Sequence, residues 1–96
     1  MANYKLNKLA KQDLKEIYHY GYLNFGEAQA DIYYLAMFDR FKQIAENPYL
    51  YPQVDYIRKG YRRSVFQKHS IYYRITDNGV EIISIIGAQD LGKKFT

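Results

Sequence analysis

Apolar positions in the first quarter of the chain change from strand spacing to helical spacing. Residues 3–7 alternate polar and apolar side chains, which predicts a short first strand. Asn7 is a suitable N-cap for a helix beginning near Lys8. Apolar residues then recur three or four positions apart up to Gly26, a residue type that commonly follows a helix. The apolar stripe of this first helix consists of Leu14, Ile17, Tyr18, Gly21 and Phe25.

A second helical segment begins at Glu27, an acidic residue that suits the first turn of a helix. Pro48 restricts Asn47 to extended backbone conformations, which predicts that the helix ends there. Because only Gly26 separates the two segments, they are expected to form an antiparallel helical hairpin. The broad apolar face of the second helix comprises Ala30, Tyr33, Tyr34, Met37, Phe38, Phe41, Ile44 and Ala45.

The last part of the chain has the spacing of β-strands. Residues 47–60 hold both prolines and predict an irregular connection, followed by strands at 61–66, 70–76 and 80–86. Asp77, Asn78 and Gly79 tolerate positive φ and favour a hairpin between the last two strands. The sequence therefore predicts one α+β domain over residues 1–96, ordered β-α-α-β-β-β, with the helical hairpin packed on a twisted antiparallel sheet.

Charge is distributed unevenly along the chain, whose net charge is +4. Through Tyr56 there are six Lys or Arg against seven Asp or Glu, and from Ile57 onward there are eight against three. A basic C-terminal part attracts an acidic partner, either nucleic acid or an acidic protein segment, unless it is only a solvated surface.

Several kinds of site are not expected from the composition. The chain has no cysteine, which excludes disulfides and thiolate metal sites and suits a reducing cytoplasm. His19 and His69 lack zinc-motif spacing, so no metal and no cofactor are expected. No apolar run is long enough for a membrane span, and the first residues lack signal-peptide features. We expect a cytoplasmic protein.

Short strings in order along nearly the whole chain carry a family resemblance. They lie at residues 9–17, where Ala10, Asp13, Leu14 and Ile17 have the pattern Ala-x-x-Asp-Leu-x-x-Ile, and at 25–30, 45–48, 58–62, 69–74 and 85–90. Together they resemble the RelE/ParE family of bacterial toxins, particularly its ParE branch. The resemblance implies a type II toxin–antitoxin module. RelE-like members cut messenger RNA on the ribosome, ParE-like members poison DNA gyrase, and a ParD-like antitoxin would lay an extended or helical segment across the toxin.

Ribonuclease chemistry requires a base, an acid and a fixed cation near the developing charge. By resemblance, RelE-like chains place an Arg on the last strand and often an aromatic residue or His near the C-terminus. Here Ala88 stands at the Arg position and no His follows it. We therefore expect a non-enzymatic gyrase poison without catalytic residues; a ribosome-dependent mRNA endonuclease or an inactive antitoxin-binding module are the alternatives. Direct nucleic-acid binding stays open, through the remaining candidates Arg62, Arg63, Lys68, His69, Tyr72 and Arg74.

The target-binding surface is predicted on the sheet and the C-terminal tail. Alternation in the strand at 70–76 places Ile71, Tyr73 and Ile75 on one face. If that face meets the helices, Tyr72 and Arg74 point outward to a partner, although Arg74 could instead pair with Asp90 or Glu81. His69 is expected to make a structural hydrogen bond rather than to act as a base. The predicted target-binding residues are Arg62, Arg63, Tyr72, Arg74, Gln89, Asp90, Lys93, Lys94 and Phe95.

Aromatic residues supply most of the candidates for antitoxin binding, because tyrosine, present twelve times in 96 residues, serves both half-buried packing and interfaces. The alternative is that the helical ones are core residues and that the loop ones cover a sheet edge. The predicted antitoxin-binding residues are Tyr33, Phe38, Tyr49, Tyr51, Tyr56 and Arg58.

Overall fold

A computed structural model describes residues 3–87 of the chain, and its elements follow the predicted order. The α+β class is confirmed, and the predicted strand bounds differ from the observed ones by at most one residue. The elements are β1 (Tyr4–Leu6), α1 (Lys8–Phe25), α2 (Glu27–Glu46), β2 (Tyr61–Phe66), β3 (His69–Thr76) and β4 (Gly79–Gly87). Neither helix is long and apolar enough to cross a membrane.

Three residues determine where the two helices begin and end. Asn7 caps α1, its side-chain oxygen accepting a hydrogen bond of 2.9 Å from the backbone N–H of Ala10. Gly26 joins the two helices at φ 90°, a backbone conformation that glycine adopts without steric cost. Asn47 ends α2 directly before Pro48, as predicted.

The sheet has the strand order β1-β4-β3-β2. β2, β3 and β4 form the predicted antiparallel meander, but β1 pairs parallel with β4, from Tyr4 beside Val80 to Leu6 beside Ile82. The sheet is therefore mixed, and the predicted antiparallel pairing holds for its last three strands. The direction of β1 depends on the path of the hairpin between β1 and the meander, which local periodicity does not specify.

The main core lies between the hairpin and one face of the sheet. Met37 and Phe41 of α2 are fully buried together with Ile71 and Tyr73 of β3, so the predicted inward face of β3 is correct. Burial of this apolar surface is the principal stabilising contribution. The Tyr73 hydroxyl donates a hydrogen bond of 2.6 Å to the Pro48 carbonyl oxygen, and burial raises the pKa of Tyr73 to about 12.

A bulge in β4 changes which side chains face the helices. Tyr72 pairs with Ser84 whereas Tyr73 pairs with Ile82, so Ile83 has no partner in β3. As a result Ile82 and Ile85 both enter the main core, although strict alternation would place them on opposite faces.

The opposite face of the sheet is covered by the connection between α2 and β2. Val54 packs there against Tyr72 and Ile86, with Ile57 and Tyr61 at the margin of the cluster. Tyr72 is only 1% exposed, so the prediction that it points outward to a partner is wrong. Alternation correctly placed Tyr72 away from the helices, but a distant loop, rather than solvent, covers it.

Candidate protein-binding site

An open groove of about 840 Å³ separates the inner face of the hairpin from one end of the sheet. Both helices contribute apolar side chains to it, the end of β4 contributes Ile85, Ile86 and Gly87, and the β2–β3 turn forms its rim. The helices approach each other closely here, because a side-chain carbon at Gly21 would lie 3.6 Å from Cβ of Ala30. The helical lining includes Ile17, Gly21, Phe25, Ala30, Tyr33 and Met37.

One hydrogen bond connects the groove wall to its rim. The Tyr33 hydroxyl of α2 lies 2.7 Å from Nδ1 of His69, the first residue of β3. Phe66 packs beside them, its ring centroid 5.4 Å from that of Tyr33. Burial raises the pKa of Tyr33 above its ordinary value, so the protonated hydroxyl persists to a higher pH than in an exposed tyrosine. The expected hydrogen bond of His69 is present, and it links α2 to the first residue of β3.

The rim of the groove carries charges of both signs. Gln67 adopts a φ of 55° in the tight turn between β2 and β3, and the exposed Lys68 follows it at the rim. Glu16 of α1 also lines the groove, and it accepts a hydrogen bond of 3.3 Å from Gln12. An apolar groove with a lysine at its rim suits an amphipathic segment that carries acidic residues.

A smaller hollow of about 250 Å³ lies at the same end of the sheet and also reaches the β2–β3 turn. Arg63 and Lys68 line it, together with Ser70 and Tyr72. Two cationic groups beside the partly exposed Ser70 can hold an anion such as a carboxylate or a phosphate.

Two of the predicted target-binding arginines are engaged elsewhere in the fold. Arg62 donates a hydrogen bond of 2.7 Å to the Tyr51 carbonyl oxygen, and its guanidinium lies 5.1 Å from the Tyr49 ring centroid. Arg74 forms an ion pair of 2.7 Å with Glu81, which confirms the intramolecular alternative for this residue. Among the predicted residues within 3–87, only Arg63 and Tyr72 therefore line the same hollow.

The predicted antitoxin-binding residues do not form one surface. Tyr33 lines the groove, whereas Phe38 packs against Tyr34 and Phe41 within the hairpin layer. Tyr51 packs edge-on against Tyr73, so it covers the sheet as the alternative interpretation proposed. The remaining three lie on the connection between α2 and β2, namely the exposed Tyr49 and Tyr56, and Arg58, whose guanidinium lies 6.0 Å from the Tyr61 ring centroid. Their role in antitoxin binding remains a prediction.

Arg40 is a structurally important residue that the sequence patterns missed. It extends from α2 to the edge of β2, where Nη1 donates to Ser64 Oγ at 3.0 Å and to the Val65 carbonyl oxygen at 2.9 Å. Its guanidinium lies 5.1 Å from the Phe66 ring centroid. In the sequence, Arg40 stands out only as a single arginine between apolar positions of a helix. In the fold it binds the exposed edge of β2.

Several predicted site residues lie outside the described residues. These are Gln89, Asp90, Lys93, Lys94 and Phe95, and Ala88 lies there as well.

The fold and its groove define a small α+β protein of the RelE/ParE architecture, and comparison with known proteins specifies the branch. Residues 4–91 match the family described as ParE toxin of type II toxin–antitoxin system, parDE. Toxin ParE1 of Caulobacter vibrioides is 34% identical over 86 residues, covering 90% of this chain and 88% of that protein. Toxin ParE1 of Mycobacterium tuberculosis is 29% identical over 86 residues, covering 88% of each.

A solved structure, described as the chromosomal ParDE TA system from P. aeruginosa, supports the fold. It superposes with a TM-score of 0.79 at 18% identity, covering 91% of this chain and 96% of that one. The chain therefore belongs to the ParE toxin family of type II toxin–antitoxin systems, which confirms the resemblance seen in its sequence strings.

Proposed function

We propose that this chain arrests bacterial growth by binding DNA gyrase, without catalysing a reaction, and that a ParD-like antitoxin neutralises it. Membership of the ParE family supports the toxin role. The proposal that the chain is not a catalyst rests on one observation: two arginines of the sheet bind other groups of the same protein. Arg62 donates to the Tyr51 carbonyl oxygen and Arg74 pairs with Glu81, so both guanidinium groups already have partners within the protein.

The hollow lined by Arg63 and Lys68 favours a second candidate function, ribosome-dependent cleavage of messenger RNA. These two cations could contact an RNA phosphate electrostatically. Cleavage also needs a base and an acid that are positioned on opposite sides of the reacting phosphate. The intramolecular hydrogen bond between Tyr33 and Nδ1 of His69 engages one of the groups that this chemistry could use.

The experiment combines growth arrest in cells with a gyrase assay on purified protein. Expression of the chain alone should induce the DNA-damage response and filamentation, and the protein should make purified gyrase accumulate cleaved plasmid DNA. Rapid translation arrest with cuts in the ribosomal A-site codon would establish the ribonuclease instead. Normal growth and neither biochemical effect would indicate an inactive antitoxin-binding module.

We further propose that the antitoxin inserts an acidic, amphipathic segment into the groove between the hairpin and the sheet. Apolar anchors in a groove give most of the affinity, while Lys68 at the rim accelerates encounter with an acidic segment. Raising the salt concentration should therefore slow association far more than it speeds dissociation.

Two exposed aromatic residues provide a matched test of the groove. Phe25 lines the groove and is 67% exposed, whereas Tyr56 lies on the α2–β2 connection and is 79% exposed. If the groove, and not the predicted contact at Tyr56, holds the antitoxin, Phe25→Asp should speed antitoxin dissociation by about tenfold or more while Tyr56→Asp stays close to wild type. Lys68→Glu should chiefly lower the association rate. A large effect of Tyr56→Asp combined with none of Phe25→Asp would place the antitoxin on the connection instead.

A further inference from the structure

The outer face of the hairpin, directed away from the sheet, is apolar at the end where the helices are joined. Leu35 and Ile32 of α2 are 67% and 63% exposed, and Tyr22 and Leu23 of α1 are also exposed nearby. Their spacing places them away from the core residues Ala30 and Met37 and their neighbours, which face inward. Contiguous exposed apolar side chains on a small protein mark a contact surface.

The other half of this outer face is charged, with opposite signs on the two helices. Lys8, Lys11 and Lys15 are exposed on α1, whereas Asp39 and Glu46 are exposed on α2. Within residues 3–87 none of these five side chains forms an ion pair. Lys42 lies between the two acidic residues of α2 and reduces the difference in charge between the two helices, but α2 still carries more acidic than basic residues on this part of its outer face.

The antiparallel arrangement of the helices fixes which groups lie at the same level. Gly21 lies beside Ala30, and the Tyr18 hydroxyl donates a hydrogen bond of 2.6 Å to Asp31. Continuing this pairing toward the open end of the hairpin places Lys11 near the level of Asp39 and Lys15 about one turn closer to the joined end. A two-fold axis parallel to the helices would therefore place α1 of one copy opposite α2 of another, with lysines facing acids and apolar ends facing each other.

We propose that the outer face of the hairpin binds the same face of a second copy of this chain, forming a two-fold symmetric dimer with a four-helix layer. Such a contact is isologous, since each copy contributes both the basic and the acidic helix. Leu35 is the member of the apolar part nearest the charged part, which begins one helical turn further along α2 at Asp39. Two helices of 18 and 20 residues present a footprint of roughly 30 by 20 Å, near the size of a small stable interface.

Sedimentation of the purified full-length chain, without antitoxin, tests the proposal over a range of protein concentrations. The wild type should show a reversible monomer–dimer equilibrium. Leu35→Asp should weaken dimerisation by about tenfold or more, because it replaces an apolar contact with an acidic group in both halves of the interface. Leu50→Asp is the matched control, since Leu50 is 71% exposed on the α2–β2 connection. It should dimerise like the wild type.

Charge reversal tests the pairing of opposite charges directly, because a variant that is only destabilised would not regain dimerisation on mixing with its counterpart. A variant with Lys11→Glu and Lys15→Glu, and another with Asp39→Lys and Glu46→Lys, should each remain monomeric, since like charges then face each other twice. Mixed together, the two variants should form a heterodimer, because both halves of that interface again pair opposite charges.

Melting temperatures measured on the separate variants establish that each is folded. A wild-type chain that sediments only as a monomer would overturn the proposal. A dimer that is unaffected by Leu35→Asp, or folded charge variants that do not associate on mixing, would also overturn it.

Discussion

The carboxylate of Asp13 accepts a hydrogen bond from the backbone N–H of Ile85, with 2.9 Å between Oδ2 and N. Asp13 is buried on the inner face of α1, and β1 pairs with β4 only as far as Ile82. Beyond that point β1 supplies no partner, and the Asp13 side chain accepts the hydrogen bond from the Ile85 amide. This explains an acidic residue within the apolar stripe of α1.

Replacing Asp13 with Ala should lower the free energy of unfolding by about 1–3 kcal/mol, because a buried backbone donor loses its acceptor. Asp13→Asn should cost less, since its side-chain oxygen can still accept the hydrogen bond from Ile85. In urea denaturation, the free energy of unfolding should decrease from the wild type to Asp13→Asn and further to Asp13→Ala. Equal stability of wild type and Asp13→Ala would contradict this assignment.

Gly79 should be one of the least replaceable residues in the sheet. It has a φ of 146°, and a Cβ atom there would overlap the Asn3 carbonyl oxygen, which accepts a hydrogen bond from Val80. Gly79→Ala should cost about 3 kcal/mol or more and detach β1. Gly60 is the control: its φ of 85° is also unfavourable for alanine, but nothing lies within 4 Å, so Gly60→Ala should cost about 1–2 kcal/mol. Thermal denaturation compares the two.

The stability of the fold should decline between pH 10 and 12. The pKa of Tyr73 is about 12 in the folded protein, compared with about 10 in an unfolded chain. The unfolded state therefore loses its proton first, so this contribution is complete below pH 10 and is lost as the pH rises toward 12. Tyr73→Phe should be about 1 kcal/mol less stable at neutral pH, having lost the hydrogen bond to Pro48.

The pH dependence of the difference between wild type and Tyr73→Phe isolates this residue, because the other tyrosines titrate in both proteins. Tyr18 has the same sign of effect, since the hydrogen bond to the Asp31 carboxylate raises its pKa to about 12. Parallel stability curves for wild type and Tyr73→Phe above pH 10 would show that Tyr73 does not resist ionisation.

The C-terminal tail remains the predicted determinant of toxicity. Deleting residues 92–96 removes Lys93, Lys94 and Phe95, whose charges would steer the tail and whose ring would anchor it on a target. Growth arrest should weaken or disappear, while the melting temperature and antitoxin binding change little. A lower melting temperature would indicate that Phe95 contributes to the core. A truncated chain that melts normally and still arrests growth would move the target site to the hollow near Arg63.

The sequence by itself determined where the helices and strands begin and end. Asn7, Gly26 and Pro48 act on their immediate neighbours through capping, positive φ and the restriction of the preceding residue, so their effects are readable without tertiary contacts. Alternation in β3 likewise identified Ile71 and Tyr73 as core residues, because a strand directs successive side chains to opposite faces.

Only the tertiary structure decided what lies against each face. Tyr72 and Arg74 have the pattern of an exposed face, yet Val54 packs on Tyr72 and Glu81 pairs with Arg74. The parallel pairing of β1 and the bulge at Ile83 likewise depend on segments far apart in the chain. A periodic pattern reports the direction of a side chain, whereas its burial and partner depend on which distant segment packs there. For the same reason the groove, which gathers residues of both helices and two strands, becomes visible only in the folded chain.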